Sequence, residues 1–133
     1  MSGVIIIGEL LRNHEPLNEI VPDASIKAGM LPDGVALPAL LVRSISLTDR
    51  QPLVRGTVVR STERVAVTVR ASSYRQQKAV IRLVRAACAG RVGDFSGFER
   101  VSILTAGTGP DVLGSANSFE ATQDFSISYD APA

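Results

Sequence analysis

The stretch VVRSTERVAVTVRASSYRQQKAVIRLVRAACAG, Val58 to Gly90, changes its hydrophobic period once, at Ser72 and Ser73. Before the serines it alternates. Val65, Val67, Val69 and Ala71 point one way, and Arg64, Ala66, Thr68 and Arg70 the other, which is the two-residue period of a strand. After them, at about 100° per residue, Val80, Ile81, Leu83, Val84, Ala87 and Cys88 gather on one broad side. Arg75, Lys78, Arg82 and Arg85 fall within an arc of about 80° opposite. This predicts an amphipathic helix over 72–90, capped by Ser72 or Ser73 and stopped at Gly90.

Upstream, GVIIIGELLRN (3–13) sets Val4, Ile7, Leu10 and Leu11 at helical spacing, with Ile6 on the same side and Ser2 available as a cap. Pro16 bends or restarts that helix. Leu17, Ile20 and Val21 continue the apolar stripe to Pro22. ASIKAG (24–29) suits a short strand. In LPDG (31–34), Pro32 presets φ, Asp33 can bond its own backbone and Gly34 accepts positive φ, so a turn is expected. Pro38 cannot donate to a sheet ladder and belongs at the first residue of a strand. ALLVRSISL (39–47) is that strand, and its four leading apolar residues are expected to be buried on both faces. TDRQPLVRGT (48–57) is a polar, Arg-bearing loop or hairpin tip between two antiparallel strands.

Downstream, FERVSILTA (98–106) reads as a strand and GTGPDVLGSANS (107–118) as a Gly/Ser-rich loop. FEATQDFSISYD (119–130) alternates along its whole length. Phe119, Ala121, Gln123, Phe125, Ile127 and Tyr129 share one face, as expected of a half-buried antiparallel strand. The last residues, 131–133, are expected to fray. The expected fold is therefore a single α+β domain over 1–133. It has a mostly antiparallel sheet of about four or five strands, two α-helices packed on one face, and a long hairpin around residues 48–57.

A chain of 133 residues with 45% hydrophobic and 20% charged content has the composition of a globular domain. Its net charge of +1 conceals a segregation. Residues 1–42 carry −3, residues 43–91 carry +9, and residues 92–133 carry −5. Twelve of the fourteen basic residues are Arg, the side chain suited to bidentate contact with carboxylate or phosphate. Two readings follow. The opposite charges mix once the chain folds, or the body presents one basic and one acidic face to copies of itself or to DNA.

Little points to catalysis. His14, the single histidine, lies near a helix end, and Cys88 falls on the apolar side of its helix, where a thiol acts as a small hydrophobe. GTGPDVLGS lacks the Gly-Lys-Ser/Thr ending of a phosphate loop. No carboxylate spacing suggests a metal, and no cofactor is expected. An enzyme using Cys88 is the weakest reading. No apolar run approaches the ~20 residues that span a bilayer, so no membrane partner is expected. Single-strand binders interleave aromatics with their basic residues, whereas residues 43–91 hold one aromatic, Tyr74.

Taken in order, the N-terminal helix, LPDGVALPALLV, the Val-alternating strand, SSYRQQKAVIRLVRAACAG and the closing FEATQDFSISYD resemble the tail-completion, or tail-terminator, proteins of long-tailed bacteriophages and gene transfer agents. The resemblance covers nearly the whole chain and rests on the ordered set rather than on one motif. It implies a virion structural protein that is not an enzyme, assembled in the bacterial host cytoplasm and placed at the head–tail junction. It implies a homohexameric ring that caps the tail tube, stops polymerisation of the major tail tube protein and docks the head–tail connector or head-closure protein. DNA would pass through the lumen without sequence recognition. Arg50 and Arg55 are the first candidates for inter-subunit, tube or lumen contact, and Arg75, Lys78, Arg82 and Arg85 form the second candidate surface. A head-closure or other minor tail protein is the alternative of the same class. A small Arg-rich nucleic-acid-binding module is the alternative from another class.

Overall fold

In the computed structural model, which describes residues 2–32, 34–114 and 117–132, Ser72 and Ser73 are where strand becomes helix. The elements are α1 (Ser2–Arg12), α2 (Glu15–Asn18), a 3-10 turn (Asp23–Ser25), β1 (Ile26–Ala28), β2 (Ala39–Arg50), β3 (Val58–Ala71), α3 (Tyr74–Cys88), β4 (Val92–Phe95), β5 (Phe98–Thr108), β6 (Val112–Leu113) and β7 (Phe119–Pro132). One sheet holds all seven strands in the order β1-β2-β3-β7-β5-β4, with β6 pairing β7. Every pair is antiparallel except β1 with β2, which is parallel. The fold is α+β, with more strands and one more short helix than the sequence predicts. The Asp33 of the expected turn lies outside the described residues.

β3 and β7 form the spine. They pair without a break from Val58 with Pro132 to Ala71 with Phe119. Matched alternation keeps the apolar residues of both strands on one face. Val65, Val67, Val69, Phe125 and Ile127 are buried there. Helices α1 and α3 cover that face. Ile6, Ile7 and Leu11 of α1, and Val80, Ile81, Val84, Ala87 and Cys88 of α3, join the same core. Leu83 is only partly buried at its margin, while Gln77 takes a fully buried place on the inner side of α3. Ser73 is the cap: its Oγ accepts from the Gln76 N–H at 3.1 Å, and the Gln76 side chain bonds back to the Ser72 N–H at 3.1 Å. This reciprocal arrangement satisfies groups that a bare helix start leaves open.

Pro38 directly precedes β2, as its missing N–H requires. Ala39, Leu40 and Val42 are buried and Leu41 is half-buried, because β1 flanks only this first part, with Ile26 opposite Leu40 and Ala28 opposite Val42. From Arg43 onward the edge of β2 is open. The β2–β3 pair continues as a long hairpin to Arg50 opposite Arg60. Residues 48–50 are therefore strand, and the tip is the all-exposed segment 51–57.

Three expectations need correction. The tail does not fray through residues 131 and 132, because Ala131 and Pro132 pair with Val59 and Val58 as the end of β7. The segment 107–118 is not wholly loop, since Thr108 belongs to β5 and Val112–Leu113 pairs with the start of β7. Residues 92–95, unassigned from the sequence, form β4. It is a short strand with two glycine-assisted turns, at Gly90 (φ 74°) and Gly97 (φ 82°).

Candidate interaction surfaces

The outer face of β3 and β7 is where the segregated charges meet. Arg70 Nε bonds Glu120 Oε2 at 2.8 Å, Arg64 Nη2 bonds Asp124 Oδ2 at 2.7 Å, and Arg60 Nη1 bonds Asp130 Oδ1 at 3.2 Å. Hydroxyl pairs fill the rungs between them: Thr68 with Thr122 and Thr62 with Ser128, each at 3.0 Å. The register makes this possible, since residues of one parity on β3 face residues of the same parity on β7. Arg64 also donates to the Ala106 carbonyl at 3.0 Å, and Arg60 to the Arg100 carbonyl at 2.6 Å, so the ladder reaches across β7 to β5. Three of the basic residues in the +9 segment are thereby neutralised inside the chain.

The second predicted surface is divided. On α3, Lys78 pairs with Asp111 at 2.8 Å and lies 5.1 Å from the Tyr74 ring centre. The bond to Asp111 raises the Lys78 pKa. Arg85 donates to Gln123 Oε1 at 3.0 Å and to Thr108 at 3.3 Å. Gln123 is itself buried and takes a further bond from Thr108 at 2.5 Å, so Arg85 serves to satisfy an amide at the sheet. Arg75 and Arg82 are exposed and, among the described residues, carry no ion pair. The structure does not bring the four together as one open cationic patch.

Arg50 and Arg55 also lack ion pairs among the described residues, but they face different ways. A β-bulge between Ser44 and Ser46 makes Ile45 an extra residue and shifts the pairing. Beyond it, Leu47 opposes the buried Glu63 and Asp49 opposes Ser61, so both point to the inner face. Arg50 opposes Arg60 and therefore points outward, next to a like charge. Arg55 lines a concavity of about 510 Å³ on the inner side, with Ser2, Leu47, Asp49, Ser61 and Tyr129. The first turn of α1 reaches this part of the sheet, where Ser2 lines the same hollow. Leu53 and Val54, at the tip between the two arginines, are almost completely exposed.

Glu63 is the residue that sequence reasoning passed over. It is fully buried. Its Oε1 accepts from the Gly3 N–H at 3.0 Å and from the Tyr129 hydroxyl at 2.7 Å, while no described residue bonds Oε2. Gly3 lies at the start of α1, where the exposed amides and the helix dipole favour a carboxylate. Burial, then the bond to Glu63, pushes the Tyr129 hydroxyl up to about 12. The signal was available: Glu63 shares the parity of Val65, Val67 and Val69. A carboxylate on an apolar parity is a request for a buried partner.

Cys88 is buried, and burial pushes its thiol up to about 12. Burial thus favours its protonated form. No group of three His, Cys, Asp or Glu among the described residues is placed to hold a metal. Among the described residues no helix is long and apolar enough to cross a membrane.

No protein-family model and no curated protein matches the sequence. Solved structures do match. One solved structure has a TM-score of 0.58 over 97% of this chain and 95% of its own, at 12% identity. A stronger likeness is to a chain of the "Virion of native gene transfer agent (GTA) particle", with a TM-score of 0.79 over 98% of this chain and 97% of its own, also at 12% identity. From end to end, the chain shares the fold of a gene transfer agent virion chain.

Proposed function

We propose that this chain is a virion structural protein of a phage-like particle, and specifically a tail terminator. A ring of copies sits on the last layer of the tail tube, blocks further addition of tube protein and offers its other side to the head connector. The observation that carries this reading is the whole-chain fold likeness to a gene transfer agent virion chain. The ordered sequence features that resemble tail-completion proteins agree with it. The distribution of side chains supports an assembly role over a catalytic one. The hairpin tip carries the strongly exposed Leu53 and Val54 between Arg50 and Arg55, and the thiol is buried. The basic segment uses Arg60, Arg64 and Arg70 in internal pairs, so its charge is not gathered into the single open surface that a nucleic-acid module would present. Arg75 and Arg82 remain available for non-specific contact with DNA in a lumen.

The test is tube assembly. Tail tube protein polymerised with substoichiometric amounts of this chain should give shorter tubes with capped ends by electron microscopy. Unchanged tube length at molar excess would remove the terminator role. Unchanged tube length together with binding to an added head connector would instead favour a head-closure protein.

A further inference from the structure

The hairpin tip and the hollow beside it are incomplete in complementary ways. Leu53 and Val54 project from the tip with nothing over them. The hollow has an apolar floor of Leu47, Val59 and Pro132, and Leu47 is 43% exposed. Asp49 and Arg55 are the carboxylate and the cation of its described lining. Neither has an ion pair among the described residues, and they are not paired with each other. Asp49 takes a bond from the Ser61 hydroxyl at 2.6 Å, which holds its carboxylate on the inner face.

The segment that carries the tip is loosely held. Residues 51–57 are all exposed, and none of them makes a hydrogen bond among the described residues. The β2–β3 ladder stops at Arg50 opposite Arg60, a like-charged pair that gives the tip no anchor. Gly56 follows Arg55. Around the place of a Cβ there, only the Val58 carbonyl comes near, at 3.9 Å, so Gly56 has room to absorb a change of backbone angle.

We propose that the tip is a lid on its own hairpin. Residues 51–57 fold onto the inner face, with Leu53 and Val54 over Leu47, Val59 and Pro132, and with Arg55 paired to Asp49. The structure shows the open form. Closure is within reach: Leu53 has to return only over residues 47–50, about 10 Å of strand, and Arg55 already stands at the hollow. Closing buries two aliphatic side chains and makes one ion pair. It costs the backbone freedom of a few residues, which is of similar size, so the two forms lie close in free energy. A partner that binds the tip then selects the open form. Until one does, the lid keeps the apolar tip of the free chain covered. This inference concerns the free chain and does not rest on what the chain does in a virion.

Disulfide trapping in the full chain provides the test. Leu47→Cys with Leu53→Cys puts one thiol on the floor and one on the lid. Both positions are exposed, and the native Cys88 is buried. Thr48→Cys with Leu53→Cys is the control, because Thr48 opposes Thr62 and points to the outer face. At low micromolar concentration the 47/53 pair should close an intramolecular disulfide at least about tenfold faster than the 48/53 pair. Adding Arg55→Glu to the 47/53 pair should slow it roughly tenfold, the scale of turning one ion pair into a repulsion, and adding Asp49→Arg as well should restore the rate. Pro132→Cys supplies the floor thiol should Leu47→Cys lower the thermal transition. Equal rates for the inner and outer pairs overturn the inference, and so does a rate that ignores charge reversal. Tube length is read separately. A wild-type chain that leaves tubes unchanged removes the terminator role and leaves the lid standing, whereas equal trapping rates remove the lid and leave the terminator role.

Discussion

The β3–β7 ladder and the far half of the β2–β3 hairpin are parts of one sheet with opposite economies of charge. Along the ladder each arginine of β3 finds a carboxylate of β7, and the hydroxyls between them find each other. Along the hairpin, Arg50 faces Arg60, Arg55 lines an open hollow, and Leu53 and Val54 have nothing over them. Local sequence does not make this difference, because both regions are Arg-rich β structure. It arises from what lies next door. β3 has an acidic neighbour for its whole length, whereas β2 beyond Val42 has none on its open side. Charge that is satisfied within the fold contributes little to recognition. Charge that is left over marks where a partner can act.

The comparison can be broken from the interior outward. Replacing Phe125, which is fully buried beneath the ladder, by Ala should destabilise the domain by about 3–5 kcal/mol in chemical denaturation. Gly3→Ala comes next. A Cβ there would stand 2.8 Å from Glu63 Cδ and 2.9 Å from Val65 Cγ2, so the cost should be about 1–3 kcal/mol. A wild-type Tm would mean that α1 shifts off Glu63 without penalty.

Alkaline pH probes the same roofed half. The folded Cys88 thiol is raised from 9.0 to about 12. Below pH 9 it is protonated in both states and contributes nothing pH-dependent. Above 9 the unfolded chain releases a proton that the folded chain keeps, so stability falls as pH rises towards 12, by at most about 1.4 kcal/mol per pH unit. Cys88→Ala should postpone the decline to above pH 10, where Tyr129, raised from 10.0 to about 12, begins to act. An unchanged onset in that variant would exclude the thiol as its cause.

The ladder itself should matter less. Its ion pairs are half-exposed, and a double-mutant cycle on Arg70 and Glu120 should return a coupling of about 0.5–1 kcal/mol. At the hairpin tip, Arg55→Ala should move stability by less than about 0.5 kcal/mol while reducing assembly. A large loss of stability from that change would erase the distinction between the two regions.

Much of this was legible in the residues, for a reason that also explains the gaps. Alternation over 58–71 and 119–130, and the helical stripe over 72–90, are local periodicities, and each became the element it foretold. The pairing of Arg64 with Asp124 was not legible, because it depends on the register of strands 60 residues apart in the chain. β4 and β6 were missed because four and two residues are too few to display a period. Pro132 remains in strand because it lies opposite Val58 at the end of a pair that needs nothing further from it. Of the candidate residues, Arg50 and Arg55 keep their free charge. So do Arg75 and Arg82, whereas Lys78 pairs with Asp111 and Arg85 is bonded to Gln123 and Thr108.

The extra residue at Ile45 has a consequence for how this sequence can change over time. Upstream of it, every second position of β2 answers to the core, and substitutions there are constrained by packing. Downstream, the parity has been reset, and those positions lie outside the core, with Leu47 exposed and Asp49 bonded by the Ser61 hydroxyl. One inserted residue thus divides a single strand into two independently selectable texts. The tip can drift to suit a new partner without rewriting the half that folds.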